Sequence, residues 1–405
     1  MNSPAEPAAR ADPSDSQQRW QTVRRYLNQH RHHLTRAAAR LYPDHDRVDG
    51  TPLLTRRDWL PTQPIPLDRI QLTWDPGAPT PPVDGTEPQS RGVRPMRSPG
   101  RRYACYADAL AALDPPRLLE DRSAYRLLDG SLDTRPAGLP HEPPGRLAFG
   151  RGSYFAVVNI CEAAAHELAA AWLDLPGTTR QAPERLRGRL PFRALIGEPC
   201  DPRRRPILLG ISTLTLRRDA ATGQVTFPLH WRDPSRVASG GGLYQVVPVG
   251  LFQPSADTSG DERADFDLWR CMAREFEEEL LGAPEQDGGR DHAAWPFYQA
   301  LEQARHDGRL SVYCLGLGVD PLTLVADILM VTVFDSDVAD QVFGGLVADN
   351  AEGRLVTGLG TRPSTTGIPF VQPSIDHFAG AQPMQPAGAA LLRLAWRHRE
   401  ALVSR

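Results

Sequence analysis

The sequence predicts an α/β fold in the C-terminal half of the chain, preceded by an N-terminal helical and irregular extension. Two β-rich runs, at residues 207–216 and 224–231, flank a turn-rich segment and indicate a hairpin. Two almost wholly apolar runs, at 310–317 and 324–334, are typical of strands buried on both faces of a sheet. A helical pattern at 388–402 completes the series. Strands and helices in this order predict an α/β sandwich.

The composition excludes several classes of enzyme. The chain has 405 residues, enough for two domains, and a net charge of −3. Its 46 basic Lys and Arg side chains are all arginines. A Schiff-base lysine, a P-loop lysine and a kinase-type lysine are therefore excluded, whereas arginine remains suited to binding phosphate. The slight overall negative charge gives no indication of a nucleic-acid-binding protein.

Cysteine usage and the lack of apolar segments predict a cytoplasmic protein. The five cysteines are widely spaced and form no C-x-x-C pair, a pattern typical of free thiols in a reducing compartment. The first 15 residues lack the apolar core of a signal peptide, and we expect them to be a disordered tail. No run approaches the roughly 18 apolar residues of a membrane span, so no membrane partner is expected.

Residues 16–190 are predicted to form an N-terminal region that begins with an amphipathic helix capped by Ser14 or Ser16. Its apolar stripe consists of Trp20, Val23, Leu27, Leu34, Ala38 and Leu41. Its opposite face carries Arg19, Arg24, Arg25, Arg31, Arg36, His30, His32 and His33. This face is either a basic surface for nucleic acid or an acidic partner, or a solvated face of a helix that docks on the main body. The second interpretation is favoured because no helix-turn-helix partner follows before Pro43.

The rest of the N-terminal region is predicted to be mostly loops and short helices. Residues 75–101 are rich in Pro and Gly and indicate a linker or a long mobile loop. Short helices are expected at 103–113 and 117–128, and a longer one at 160–173. In the longest, Glu162, His166 and Glu167 are either metal ligands or the polar edge of a buried helix; the missing second histidine of an H-E-x-x-H motif favours the edge.

The segment 274–282 contains four glutamates within five residues. Apolar residues recur at helical spacing from Phe266 to Leu280, which predicts one buried helix face. Glu275, Glu278 and Glu279 share the opposite side of that helix, and Glu277 turns away from them. The three carboxylates are either a solvated face or the ligands of a cation, for which hard oxygen donors favour Mg²⁺ or Mn²⁺.

The same segment resembles the Nudix box, G-x5-E-x7-R-E-U-x-E-E-x-G-U, where U is aliphatic. Arg274, Glu275, Phe276, Glu278 and Glu279 match its R-E-U-x-E-E core in register, and Gly260 stands at the first glycine. Two positions depart from the pattern. Phe266 replaces the first glutamate, and Leu281 stands where the second glycine is expected, with Gly282 one residue late. The run Gln245–Pro254 resembles the strand and turn that precede such boxes.

The resemblance implies a Nudix-type α/β/α sandwich with a mixed sheet, occupying residues 191–405. It implies that Glu275, Glu278 and Glu279 bind Mg²⁺ or Mn²⁺ and that Arg274 orients a glutamate. It also implies an extra glutamate on a late loop, for which Glu352 is the candidate; Asp320 and Asp327 are weaker candidates. The expected activity is hydrolysis of a nucleoside-diphosphate-linked or related diphosphate.

Two alternatives to that activity stay open. One is a Nudix-fold sensor that binds a nucleotide-like ligand without cleaving it, which the two departures from the box favour. The other is a Nudix enzyme repurposed for a biosynthetic pathway. The partner expected in each case is a small molecule, and a homodimer is compatible with the buried strands.

Overall fold

A computed structural model describes residues 12–48, 50–116, 119–132, 145–177, 183–233, 241–256, 259–283, 294–344, 353–358 and 367–404. The helices are α1 Pro13–Ala39, α2 Tyr106–Leu113, α3 Tyr154–Leu173, α4 Pro191–Ile196, α5 Ser259–Ala264, α6 Leu268–Leu281, α7 Pro296–His306, α8 Ser336–Val342, α9 Gln372–Asp376, α10 Pro386–Arg397 and α11 Arg399–Val403. The strands are β1 Ile65–Pro66, β2 Ile70–Trp74, β3 Met96–Ser98, β4 Arg101–Arg102, β5 Ser123–Ser131, β6 Gly145–Ser153, β7 Leu209–Arg218, β8 Val225–Phe227, β9 Leu229–Arg232, β10 Tyr244–Gln245, β11 Val249–Leu251, β12 Leu310–Val319, β13 Ala326–Asp335, β14 Gly353–Val356 and β15 Ile368–Pro369.

The central sheet is mixed and has seven strands in the described part of the chain. Its order is β1-β12-β13-β7-β8-β15, and β11 pairs with β7 beside this path. Strands β13 and β7 are parallel over their whole length, whereas the other pairs are antiparallel. The predicted hairpin is present as β7 and β8, and the two apolar runs form the adjacent strands β12 and β13. Smaller sheets comprise β10-β9-β14, β2-β6-β5 and β3-β4.

Side-chain alternation along the central strands divides the core into two layers. Ile211 and Ile328 face the layer that contains Phe276 of α6, while Leu329 faces the layer that contains Leu391 of α10. Helices α6 and α7 contact β11 and β12 respectively, and α10 contacts β7, β12 and β13. The chain therefore has an α/β fold, as the sequence predicts, with a mixed sheet and helices on both of its faces.

The N-terminal region shares strand pairing and an apolar cluster with the C-terminal half of the chain. Strand β1 pairs with β12, in the register Ile65↔Cys314. One apolar cluster combines Trp20 and Tyr125 from before residue 190 with Phe276 from after it. Residues on the two sides of that boundary therefore bury their apolar surface against each other.

Two predictions for the first half of the chain are wrong. Helix α1 begins at Pro13, inside the predicted disordered tail, because Asp12 accepts from the backbone N–H of Ser14 and Pro13 is suited to a first helical turn. Residues 1–11 lie outside the described part. The helix predicted at 117–128 is replaced from Ser123 onwards by strand β5, which pairs with β6. Tertiary pairing thus overrides the local helical pattern.

The segment 75–101 is packed and is not a linker. It contains a 3₁₀ helix at Pro88–Val93, and both Ser90 and Val93 are buried. The predicted strand at 243–252 is also divided, into β10 and β11, around a cis peptide bond before Pro248. No helix in the described ranges is long and apolar enough to cross a membrane.

Candidate functional site

Helix α6 forms over the segment that resembles the Nudix box. Asp267 caps it by accepting from the backbone N–H of Arg270 at 3.0 Å. Gly282 ends it in the left-handed conformation, with φ 68°. Leu281 is therefore the last helical residue, and the glycine that stands one position late in the pattern serves as the C-cap of a longer helix.

The glutamates of α6 lie against the edge strand β11. A Cβ added at Gly250 would lie 1.9 Å from the carboxyl carbon of Glu275, so only glycine leaves room for this carboxylate. The backbone N–H of Val249 donates to Oε1 of Glu279 at 3.2 Å. Oε2 of Glu279 and Oε1 of Glu278 are buried. The structure thus brings Glu275 and Glu279 to one strand, whose backbone donates a hydrogen bond to Glu279.

Glu277 has a separate partner. Its Oε2 accepts from the indole N–H of Trp295 at 3.2 Å. Trp295 immediately precedes α7, so this carboxylate contacts the neighbouring helix and not the β11 edge. The helical wheel separated Glu277 from the other three acids in the same way.

Arg274 bridges α6 and the segment after β11. Its Nη2 donates to the carbonyl oxygen of Gln253 at 2.9 Å. Burial alone would lower the pKa of Arg274, yet the pKa is raised by neighbouring acidic groups, Cys271, Glu275 and Glu278. Burial raises the pKa of the Cys271 thiol to about 12, so the thiol is neutral and the two carboxylates provide the attraction. Arg274 is thus a half-buried cation that Glu275 and Glu278 stabilise.

The donor set of α6 matches what a hard divalent cation requires, but the described side chains are not assembled as a metal centre. Carboxylate oxygens are the ligands that Mg²⁺ and Mn²⁺ prefer, and the bare backbone of Gly250 allows close approach. Within the described ranges, no group of three or more His, Cys, Asp or Glu side chains is arranged to hold a metal ion. Glu352, the candidate late-loop ligand, lies outside those ranges.

Phe266 explains one departure from the Nudix pattern. Its ring contacts an aromatic cluster from both halves of the chain, with centroid distances of 5.0 Å to Tyr125 and 5.3 Å to Trp74. Phe149 and Phe252 complete the cluster. The ring of Phe266 therefore packs the N-terminal region against the segment that precedes α6. A glutamate at this position would be poorly solvated.

A polar cavity of about 230 Å³, called here the sheet cavity, lies on the α10 side of the central sheet. Its lining residues are Arg31, Thr35, Glu162, Ser212, Arg232, Leu243, Gln245, Val249, Asp320, Leu322, Thr323, Val325, Asp327, Gln385, Pro386, Ala387 and Gly388. Val249 belongs to this lining and also donates its backbone N–H to Glu279. Val249 therefore connects the cavity lining to Glu279.

Asp327 is the distinctive group of the sheet cavity. Ser212 donates its hydroxyl to Oδ1 of Asp327 at 2.9 Å, and a Cβ at Gly210 would lie 2.6 Å from the same oxygen. Burial raises the pKa of Asp327 to about 7, with a smaller contribution from Asp320 and an opposing one from the Ser212 hydrogen bond. The amide of Gln245 also reaches this lining and is buried. A protonated carboxyl beside an amide can both donate and accept hydrogen bonds.

The acids and histidine of α3 are structural. Glu162 forms ion pairs with Arg24 and with Arg31, the latter at 2.9 Å, so two arginines of the predicted basic face of α1 are in fact buried. Their attraction lowers the pKa of Glu162 to about 2, although burial opposes this shift.

His166 and Glu167 likewise have protein partners. The imidazole Nδ1 of His166 lies 3.1 Å from the hydroxyl of Tyr106. Glu167 accepts from the backbone N–H groups of Phe192 and Arg193 at the start of α4. The polar edge of a buried helix is therefore the interpretation that these contacts support.

The sheet cavity has only a weak signature in the sequence. Asp320 and Asp327 each lie alone in or beside an apolar run, and Ser212 and Gln245 belong to no recognisable motif. The signal that was present is the aspartate near the start of the buried strand β13, a residue type that is rarely buried without a specific role.

Two comparisons with known proteins find no match. A scan against protein-family models finds no match, and neither does a search of curated proteins. The function of the site is therefore inferred from its own residues and geometry.

Proposed function

We propose that this chain is a Nudix-type hydrolase that cleaves a diphosphate linkage in a small, nucleotide-like substrate. The observation that carries the proposal is the double role of Val249, which lines the sheet cavity and donates its backbone N–H to Glu279. A substrate whose body occupies the sheet cavity would have its diphosphate close to Glu275, Glu278 and Glu279. The register of these acids with the R-E-U-x-E-E pattern supports the same assignment.

Each residue has a definable role under this proposal. Glu275, Glu278 and Glu279 would hold Mg²⁺ or Mn²⁺, which when bound offsets phosphate charge and lowers the pKa of water. Arg274 supplies a positive charge next to Glu275 and Glu278, which raise its pKa, and it fixes the helix to the Gln253 carbonyl. Asp327 and Gln245 would orient the substrate body through paired donor and acceptor atoms.

The test measures release of phosphate or of a nucleoside monophosphate from a panel of diphosphate substrates with Mg²⁺ or Mn²⁺. Glu279→Gln should reduce turnover by about 100-fold or more, because one charged ligand of the metal is lost. Glu277→Gln is the matched control: it lies on the same helix but contacts Trp295, and it should retain activity. Absence of turnover with every substrate, or equal activity in both variants, refutes the proposal.

A second candidate function is a ligand sensor of the same fold that does not hydrolyse its ligand. The position of Phe266 in an aromatic cluster favours it, because this residue has exchanged the box glutamate for a structural contact. Titration calorimetry separates the two functions. A nucleotide that binds without divalent metal and is recovered intact supports the sensor, whereas metal-dependent product release supports the hydrolase.

A further inference from the structure

A second cavity, about 470 Å³ in volume, lies beside the C-terminal half of α1. It is called here the α1 cavity. Its walls come from α1, from the segment after it (residues 44–52), and from residues 379–389 around the start of α10. The volume falls within the roughly 300–1,000 Å³ range of small-molecule sites. None of the acids of α6 lines it, so it is distinct from the candidate active site.

The described lining of the α1 cavity is strongly cationic. His32, Arg36 and Arg40 recur every four residues and therefore project from one face of α1. Arg47 adds a third guanidinium from the following segment, and Asp44 is the one carboxylate among the described lining residues. Asp44 is already engaged in an ion pair with Arg47, and its own side chain is 94% exposed. The lining thus has an excess of positive charge directed into a concave space.

Two of these cations lack a carboxylate partner among the described residues. Arg24 and Arg31, on the inner side of α1, are paired with Glu162, whereas Arg36 and Arg40 are exposed and make no ion pair in the described ranges. The Nε of Arg47 is buried without a hydrogen-bond partner there. The favourable interaction of cations with a helix C-terminus accounts for arginines in the last turn of α1, but not for their convergence with Arg47.

The pKa of His32 is consistent with an excess of positive charge in the lining. Burial lowers the pKa of His32, and the neighbouring Arg36 and His33 lower it further. The lining also has an apolar part, which consists of Ala39 of α1 together with Met384 and Ala389 near the start of α10. A ligand that matches both the cationic and the apolar part carries more than one negative charge at one end and an uncharged organic body at the other.

We propose that the α1 cavity binds a small organic phosphate, whose phosphate group lies between Arg36, Arg40 and Arg47 and whose body lies against Ala39 and Met384. Guanidinium groups bind phosphate oxygens in pairs, and three of them match a dianionic monoester better than a monocarboxylate. Because the site requires neither the α6 glutamates nor a divalent metal, it goes beyond the proposed hydrolase and stands or falls independently of it.

The experiment is titration calorimetry of the full chain with AMP in buffer that contains EDTA, which silences any metal-dependent binding at α6. Adenosine is the uncharged comparison and a short single-stranded oligonucleotide is the macromolecular one. Binding of AMP with a stoichiometry of one, and much weaker binding of adenosine, is the expected result.

The variants locate the site. Arg36→Gln and Arg40→Gln should each weaken AMP binding by about tenfold, since a charge-assisted hydrogen bond is lost. Arg25→Gln is the matched control, because Arg25 is an exposed arginine of the same helix that lies outside the cavity lining. Glu279→Gln should also leave AMP binding unchanged, which distinguishes this site from the candidate active site.

Three outcomes overturn the proposal. One is the absence of AMP binding at millimolar concentration. Another is an equal effect of the Arg25 and Arg36 substitutions, which would show that only overall charge matters. The third is much tighter binding of the oligonucleotide than of AMP, which would make this face of α1 a nucleic-acid surface. Circular dichroism of each variant verifies that the exposed substitutions leave the fold intact.

Discussion

Asp327 should make the stability of this protein fall as the pH rises, and Asp327→Asn should remove that dependence. The pKa of Asp327 is raised by burial from an ordinary value of 3.8 to about 7 in the folded chain. The folded state therefore holds a proton that the unfolded chain releases above pH 3.8. Because the folded pKa is the higher one, this group's contribution to stability is fully present below pH 3.8 and is lost as the pH rises towards 7.

The magnitude follows from the shift. A difference of about three pKa units corresponds to about 4 kcal/mol of lost stability above pH 7, at 1.36 kcal/mol per unit. Asp327 is only half-buried and opens to the sheet cavity, so solvent in the cavity makes this figure an upper limit. Roughly 2–3 kcal/mol of it falls between pH 5 and pH 8. Asparagine has the shape of the protonated acid, can still accept from Ser212, and does not titrate in this range.

The assay is urea unfolding of the parent protein and of Asp327→Asn at pH 5 and pH 8. The variant should gain stability relative to the parent at pH 8 and lose most of that gain at pH 5. Asp340→Asn is the control, because that carboxylate is 64% exposed and pairs with Arg217 at the surface. If the difference between parent and variant is the same at both pH values, Asp327 is ionised in the folded protein and the reasoning from its burial is wrong.

Substitutions at three further positions test individual contacts. Glu162→Gln removes the ion-pair partner of buried Arg31 and leaves buried Arg24 with its second ion pair, to Asp114 at 3.3 Å. It should cost about 3–5 kcal/mol in thermal melts at neutral pH; a change below about 1 kcal/mol would contradict the assigned pairing. Gly250→Ala places a methyl group where the carboxylate of Glu275 lies, so turnover should fall about 100-fold under the proposed hydrolase function while circular dichroism stays unchanged; full activity would show that Glu275 is not needed at this position. Phe266→Glu restores the glutamate of the Nudix pattern but should lower the free energy of unfolding by about 3–5 kcal/mol, whereas Phe266→Leu should lower it by about 1–2 kcal/mol. If the two variants are equally stable, packing in the aromatic cluster is not the reason for a phenylalanine at this position.

The periodicity of apolar residues and the residues that end helices predict most of the secondary structure of the C-terminal half. The strands β12 and β13 and the helix α6 lie where apolar spacing predicts them, because such elements are governed by their own sequence. The separation of Glu277 from the other acids of α6 followed from helix geometry alone.

The wrong predictions concern segments whose conformation depends on contacts with residues that are distant in the sequence. Strand β5 has a sequence compatible with a helix, and its pairing with β6 settles its conformation. The proline-rich segment 75–101 is ordered because Val93 and Ser90 are buried against other parts of the chain. The division at residue 190 does not separate two cores, since β1 adds to the sheet of the C-terminal half.

By itself, the sequence determined the chemistry that this protein has available: an all-arginine cation set, an acid-bearing amphipathic helix and a run of buried strands. Only the tertiary structure decided which of these groups meet. It buries Arg24 and Arg31 against Glu162 and leaves Arg36 and Arg40 facing a cavity. The physical reason is that the charge of a side chain follows from the identity of the residue. Its partners and its exposure depend on chain segments that can lie more than a hundred residues away.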